Sequence, residues 1–217
     1  PRRYFESPLI RLMKDYGYED FYLEGNLRTG KVSAKTIFIH RYYDQADPDF
    51  GSGKRPSILE AAKSLKALIA RVREAVCGND KNAKEAFRVY LVAHSMGGLI
   101  CRALLQNKDL RDSEEAKTVD KVFTYATPHN GIEMGGFNVP AALGIWDINN
   151  FSRKEMAKYL SLGRRKNVAT LNGHFDPNRF FCLIGTNPQN YDVAKGLSSW
   201  LAGDMSDGLV RIENAYV

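Results

Sequence analysis

Strand-like apolar runs alternating with helical ones predict an α/β protein: a mostly parallel sheet covered by helices on both faces. Three observations carry this. Between Ser57 and Val76 the residues Ile58, Ala62, Leu65, Ile69, Val72 and Val76 step by four and three, one apolar stripe on a helix. The runs FRVYLVA, VDKVFTYAT and RFFCLIGT are short and rich in β-branched and aromatic residues, as buried strands are. The helical run GGLICRALLQ follows the first of them, and breaker residues gather between elements, most densely in DQADPDFGSGKRP.

In chain order, the first fifteen residues read as a helix, with Tyr4, Phe5, Leu9, Leu12 and Met13 at helical intervals and an end near Gly17. YEDFYLEG is a short strand of alternating aromatics, leading to a polar turn through Gly30. KTIFIHRYY is a clearer strand centred on Ile37, Phe38 and Ile39. The helix from Ser57 opens on a capping box, Ser57 with Glu60, behind Pro56. Residues 137–173 break the rhythm and read as a cap-like insertion of small helices. They carry Trp146, Phe151, Met156, Tyr159 and Leu160, and a second capping box, Ser152 with Glu155. Two readings of this stretch stay open: packing of an ordinary crossover, or a lid that shows apolar side chains to a substrate.

The 217 residues fit one domain over 1–217. A hydrophobic fraction of 44% and a charged fraction of 26% are those of a soluble globular chain. The net charge of +6 is spread out. Lys63, Lys66, Arg71 and Arg73 lie along one helix, and Arg164, Arg165 and Lys166 form the tight cluster. No recognition motif accompanies them, so the charge reads as a solvated surface and nucleic acid is excluded as a partner; transient contact with a membrane surface stays open. Cys77, Cys101 and Cys182 are odd in number and widely spaced, which makes neither a disulfide framework nor a metal site and predicts buried free thiols. No apolar run reaches the length of a membrane span. The chain starts at Pro1, so a cytoplasmic and a periplasmic or secreted setting both fit.

The chemistry centres on LVAHSMGGLI, residues 91–100. A strand that delivers a serine at its carboxyl end, with a helix starting at once, holds that serine in a strained turn; the residues two before and two after it must then be small. Here they are Ala93 and Gly97, with Gly98 giving further room. Ser95 is the candidate nucleophile, and the backbone N–H of Met96, at the positive end of the helix, is a candidate oxyanion donor. Two other stretches support this. YATPHNG, 125–131, closes the next strand at the same sheet edge, where ligands bind in such folds. Asp207, in MSDGLVRIENA, sits in a turn after the last clear strand, where a carboxylate could orient a catalytic histidine.

With these motifs the chain resembles the α/β-hydrolase superfamily of serine esterases and lipases, in the branch of GPI inositol-deacylase-like proteins and bacterial triacylglycerol lipases. The resemblance lies in AHSMGGL, TPHNG and SDGLV, in that order, and covers most of the chain. It implies Ser95 as nucleophile, Asp207 as acid with Asp204 as the nearby alternative, and neither a cofactor nor a metal. It implies a carboxylic ester substrate, a small molecule or a lipid acyl ester, with Trp146 and Phe151 against the acyl chain. Two departures stand out. The family's histidine–glycine oxyanion loop has no counterpart, since His40 is followed by Arg41. No histidine follows Asp207, although the order Ser, Asp, His requires one. Of His40, His94, His129 and His174, only His174 is an internal candidate for the base. The economical expectation is a fragment, cut before the oxyanion strand and short of a histidine beyond Val217. Two alternatives to ester hydrolysis remain: an inactive hydrolase-fold binding protein, and acyl transfer to another alcohol.

Overall fold

The computed structural model describes residues 2–21, 32–42, 56–131, 150–163, 167–184 and 217. The turn through Gly30, the breaker-rich loop, Trp146 with the front of the insertion, the Arg164–Lys166 cluster, and Asp204 and Asp207 lie outside the described residues. The chain divides into two compact units, Pro1–Pro56 with Ser64–Arg88, and Ser57–Lys63 with Val89–Val217.

The first unit holds α1 (Arg2–Tyr16), β1 (Glu19–Phe21), β2 (Thr36–Phe38), most of α2 (Ile58–Cys77) and α3 (Lys81–Ala86). β1 and β2 pair in parallel with Phe21 opposite Phe38, their rings 5.6 Å apart. The α2 stripe is buried at Leu65, Ile69 and Val72, as its periodicity requires, with Leu68 and Ala75 buried beside it and Val76 half-buried. His40, just after β2, puts Nε2 3.2 Å from Ser64 Oγ. Burial, with the Arg71 charge in support, lowers its pKa to about 4, so the ring is neutral at physiological pH.

The second unit opens on the capping box at the start of α2. The Ser57 N–H donates to Glu60 Oε2 at 2.7 Å and the Glu60 N–H to Ser57 Oγ at 3.2 Å. Its sheet is β3 (Val89–His94), β4 (Val119–Tyr125) and β5 (Phe180–Leu183), in that order and parallel throughout. Between β3 and β4 run α4 (Met96–Gln106) and the single turn α5 (Glu114–Lys117). Leu99, Ile100, Ala103 and Leu104 are fully or almost fully buried, because α4 is apolar nearly all round and serves as a core helix. Burial pushes the Cys101 thiol up to about 12, which leaves it inert.

Two expectations need correction. Cys77 and Cys101 are buried, but Cys182 is half-buried, on β5, the strand that ends the described sheet. The described part of the insertion forms one helix, α6 (Arg153–Tyr159), whose cap Ser152 accepts from the Glu155 N–H at 3.3 Å as its sequence predicts. Its apolar residues do not form a displayed surface. Phe151, Met156, Tyr159 and Leu160 are all buried, so Phe151 packs into this unit and offers an acyl chain no face. A Cβ at Gly131 would lie 2.6 Å from the Phe151 carbonyl oxygen and 3.2 Å from Met156 Sδ, which shows how tightly the stretch closes on the TPHNG loop.

Candidate active site

β3 runs straight into α4 through one residue, Ser95, whose φ of 52° and ψ of −125° leave the regions open to L-residues. Such a conformation costs on the order of 1–3 kcal/mol and persists only where neighbours over-determine it. They do. The Ser95 N–H donates to the Tyr125 carbonyl at 2.9 Å, tying it to β4, while its own carbonyl accepts from the Gly98 N–H at 3.1 Å and from Thr127 Oγ1 at 2.8 Å. A serine at a helix N-cap ordinarily spends its hydroxyl on the first-turn N–H groups. Ser95 makes no such bond. Its hydroxyl is held at the end of a strand without being committed to the helix.

The small residues around it have a steric reason. A Cβ on Gly97 would come 3.3 Å from the Ala93 Cβ, so anything larger at either place would push strand and helix apart. At Gly98 the conflict is absolute: a Cβ would meet Thr127 Oγ1 at 2.3 Å, Cγ2 at 2.7 Å and Cβ at 2.9 Å. Gly98 admits α4 to the loop after β4. That loop is itself constrained, since Ala126 has a φ of 47° and its N–H donates to the Leu183 carbonyl at 3.0 Å.

Arg102, one and a half turns into α4, is fully buried. Its guanidinium donates to the carbonyls of His129 at 2.6 Å, Val168 at 2.7 Å and Thr170 at 2.8 Å, and to Gln106 Oε1 at 2.8 Å. Burial lowers its pKa to about 10, so it remains charged at neutral pH, compensated by carbonyl dipoles. His129 is also fully buried. Its Nε2 lies 2.9 Å from Thr124 Oγ1, which can donate onward to the Phe181 carbonyl at 3.4 Å. Nδ1 has no partner among the described residues. Desolvation, with the Arg102 charge behind it, holds the His129 pKa well below its ordinary value, and the ring is neutral.

The histidines thus separate by position. His129 is a core residue bound to Thr124. His94 alternates with Ala93 and shares the strand face of Tyr90 and Val92, both exposed. His174, the internal candidate for the base, lies away from the serine. Its Nε2 lies 3.2 Å from Arg111 Nη1, in a groove lined by Leu105 near the end of α4 and Val119 at the start of β4. This is the amino edge of the sheet; Ser95 is at the carboxyl edge. Of the residues around Ser95, Thr127 falls in the YATPHNG motif, while Arg102 belongs to no motif. A lone charge in the apolar run GLICRALL, seven positions after the serine, was the available signal. Among the described residues no helix is long and apolar enough to cross a membrane, and no three His, Cys, Asp or Glu side chains gather as a metal site.

Parallel strands, a helix launched from a strained serine at their carboxyl edge and the sequence around it define an α/β-hydrolase-type domain. The PGAP1-like alpha/beta domain matches residues 44–156, more than half of the 217, and the chain belongs to that family. The match takes in β3, Ser95, α4, β4 and the TPHNG loop. No curated protein and no solved structure shows a significant match.

Proposed function

We propose that the protein is a serine hydrolase of carboxylic esters, with lipid acyl esters as the favoured class. The observation that carries this reading is Ser95, strained at φ 52° with a hydroxyl that does not cap its own helix. Ser95 Oγ attacks the ester carbonyl carbon and gives its proton to a histidine. The tetrahedral oxyanion is met by the Met96 N–H, which lies in the first turn of α4, beyond the reach of the helix's own carbonyls. The alcohol leaves with the proton from the histidine. Water then attacks the acyl-enzyme, releases the acid and restores Ser95. Asp207, or its neighbour Asp204, orients the histidine. His129 and His174 are committed elsewhere. A scaffold without chemistry would gain nothing from the strain at Ser95, which favours hydrolysis over the inactive alternative.

The test is turnover of p-nitrophenyl acyl esters of increasing chain length by the full-length protein and its Ser95→Ala variant. Hydrolysis that falls at least about 10⁴-fold in Ser95→Ala supports the reading. Equal turnover by the two proteins overturns it.

A further inference from the structure

The TPHNG loop lies beside the elbow, yet the mechanism gives none of its side chains a role. Thr127 is buried to 1% exposure, and its hydroxyl donates to the Ser95 carbonyl oxygen at 2.8 Å. That oxygen and the Met96 N–H belong to one planar trans peptide, at opposite ends of it. Whatever fixes the oxygen therefore aims the N–H. We propose that Thr127 is a positioning residue for the oxyanion donor: its bond to the Ser95 carbonyl sets the peptide plane that presents the Met96 N–H to the substrate. The inference rests on the serine hydrolase reading above.

The other bond to this oxygen, from the Gly98 N–H at 3.1 Å, lies within the first turn of α4 and moves with the helix. Thr127 comes from the loop after β4, so it is the tie that references the peptide plane to the sheet. Its own place is well fixed. The preceding residue, Ala126, is held to β5 through the Leu183 carbonyl at 3.0 Å, and the His129 N–H donates to the Thr127 carbonyl at 2.9 Å. Further along, Arg102 grips the His129 carbonyl at 2.6 Å. Positions 95, 98 and 102 step by three and four, so the loop is fastened along one face of α4 at the serine, the glycine and the arginine. An oxyanion donor works only within a few tenths of an ångström of its ideal distance. A hydrogen bond accepted at one end of a peptide also polarises the N–H at the other.

The packing role of Thr127 against Gly98 can be separated from the hydrogen bond, because valine keeps the shape and loses the hydroxyl. The experiment measures the rate at which a fluorophosphonate labels Ser95 in the full-length protein, together with kcat and KM for p-nitrophenyl butyrate. Thr127→Val should label about 10- to 100-fold more slowly and lose a similar factor in kcat, with KM within about twofold, part of the loss known for deleting an oxyanion donor. Thr127→Ser should stay within about threefold of the parent. Labelling of a folded Thr127→Val at the parent's rate would overturn the inference while leaving the hydrolase reading intact. If Thr127→Val fails to fold, Thr127→Cys replaces it, since it differs from Thr127→Ser by one atom and is a far weaker donor. Labelling of Thr127→Cys at least about fivefold slower than of Thr127→Ser supports the inference, and equal rates contradict it. A parent protein that takes no label at all sinks the hydrolase reading and this inference with it.

Discussion

The two edges of the β3–β4–β5 sheet are built differently. At the carboxyl edge two non-glycine residues, Ser95 and Ala126, hold φ values of 52° and 47°, and Thr127 fills the space between helix and loop. At the amino edge positive φ falls on Asn172, at 53°, and Gly173, at 75°, residue types that adopt it readily. Ser113 and Asp176 cap their short helices in the ordinary way, accepting from the Ala116 and Asn178 N–H groups. A groove of about 610 Å³ opens there, lined in part by Arg111, Lys117, His174 and Arg179. Its cations are satisfied locally: Lys117 sits 3.2 Å from Glu114, and Arg179 lies 3.5 Å from Asp120 and 3.7 Å from Asp176. Such exposed pairs contribute little to stability. The groove therefore marks the edge where positive φ falls on an asparagine and a glycine, and the candidate chemistry sits where a serine and an alanine hold it and the packing is closed. Strain that neighbours over-determine is the better pointer here than volume.

Gly98→Ala should break this contrast most severely. The added methyl has no room beside Thr127, and overpacking of this kind costs about 1–3 kcal/mol. Denaturant unfolding should show that loss, and fluorophosphonate labelling of Ser95 should fall with it. Gly163→Ala, where nothing lies within 4 Å, should shift stability by less than about 0.5 kcal/mol. Equal stabilities for the two variants would mean that the Gly98–Thr127 contact is not the tight one described.

A smaller effect comes from acid. His129 is neutral when folded because its pKa is held well below 6.5, whereas the unfolded chain takes up a proton near 6.5. Protons thus bind preferentially to the unfolded state, and stability should fall as the pH drops through and below about 6.5. His40, lowered to about 4, acts in the same direction down to that pH. His129→Gln should flatten the decline in unfolding midpoint between pH 7 and 5; a slope identical to the parent's would remove His129 from this account. The smallest effect belongs to the amino edge. His174→Ala should leave ester turnover within about twofold and cost no more than about 1 kcal/mol of stability, as for a half-buried position away from the chemistry. A loss of turnover like that of Ser95→Ala would instead bring His174 back as the base.

Much of the elbow was legible because its constraints are local. Strand, serine and helix follow within a dozen residues, and the small positions at Ala93, Gly97 and Gly98 record a steric conflict that any substitution would reveal. The capping box of Ser57 with Glu60 was legible for the same reason, as was the Ser152 cap on the Glu155 N–H, since these bonds close within one turn. Arg102 was not. A charged side chain is rarely buried, and its acceptors at Val168 and Thr170 lie 66 and 68 residues away, where no local pattern encodes them. Phe151 misled for a related reason: an apolar residue in an insertion looks the same whether its face turns to a substrate or to the core. His174 follows the serine in sequence as a base must, yet the parallel sheet carries it to the opposite edge.

The most direct test of the central claim is the intact mass of the full-length protein after exposure to a fluorophosphonate, with the modified residue located by peptide mapping. A single adduct on Ser95, absent from Ser95→Ala, is the predicted result. An adduct on another residue, or none on the folded parent, would contradict the account.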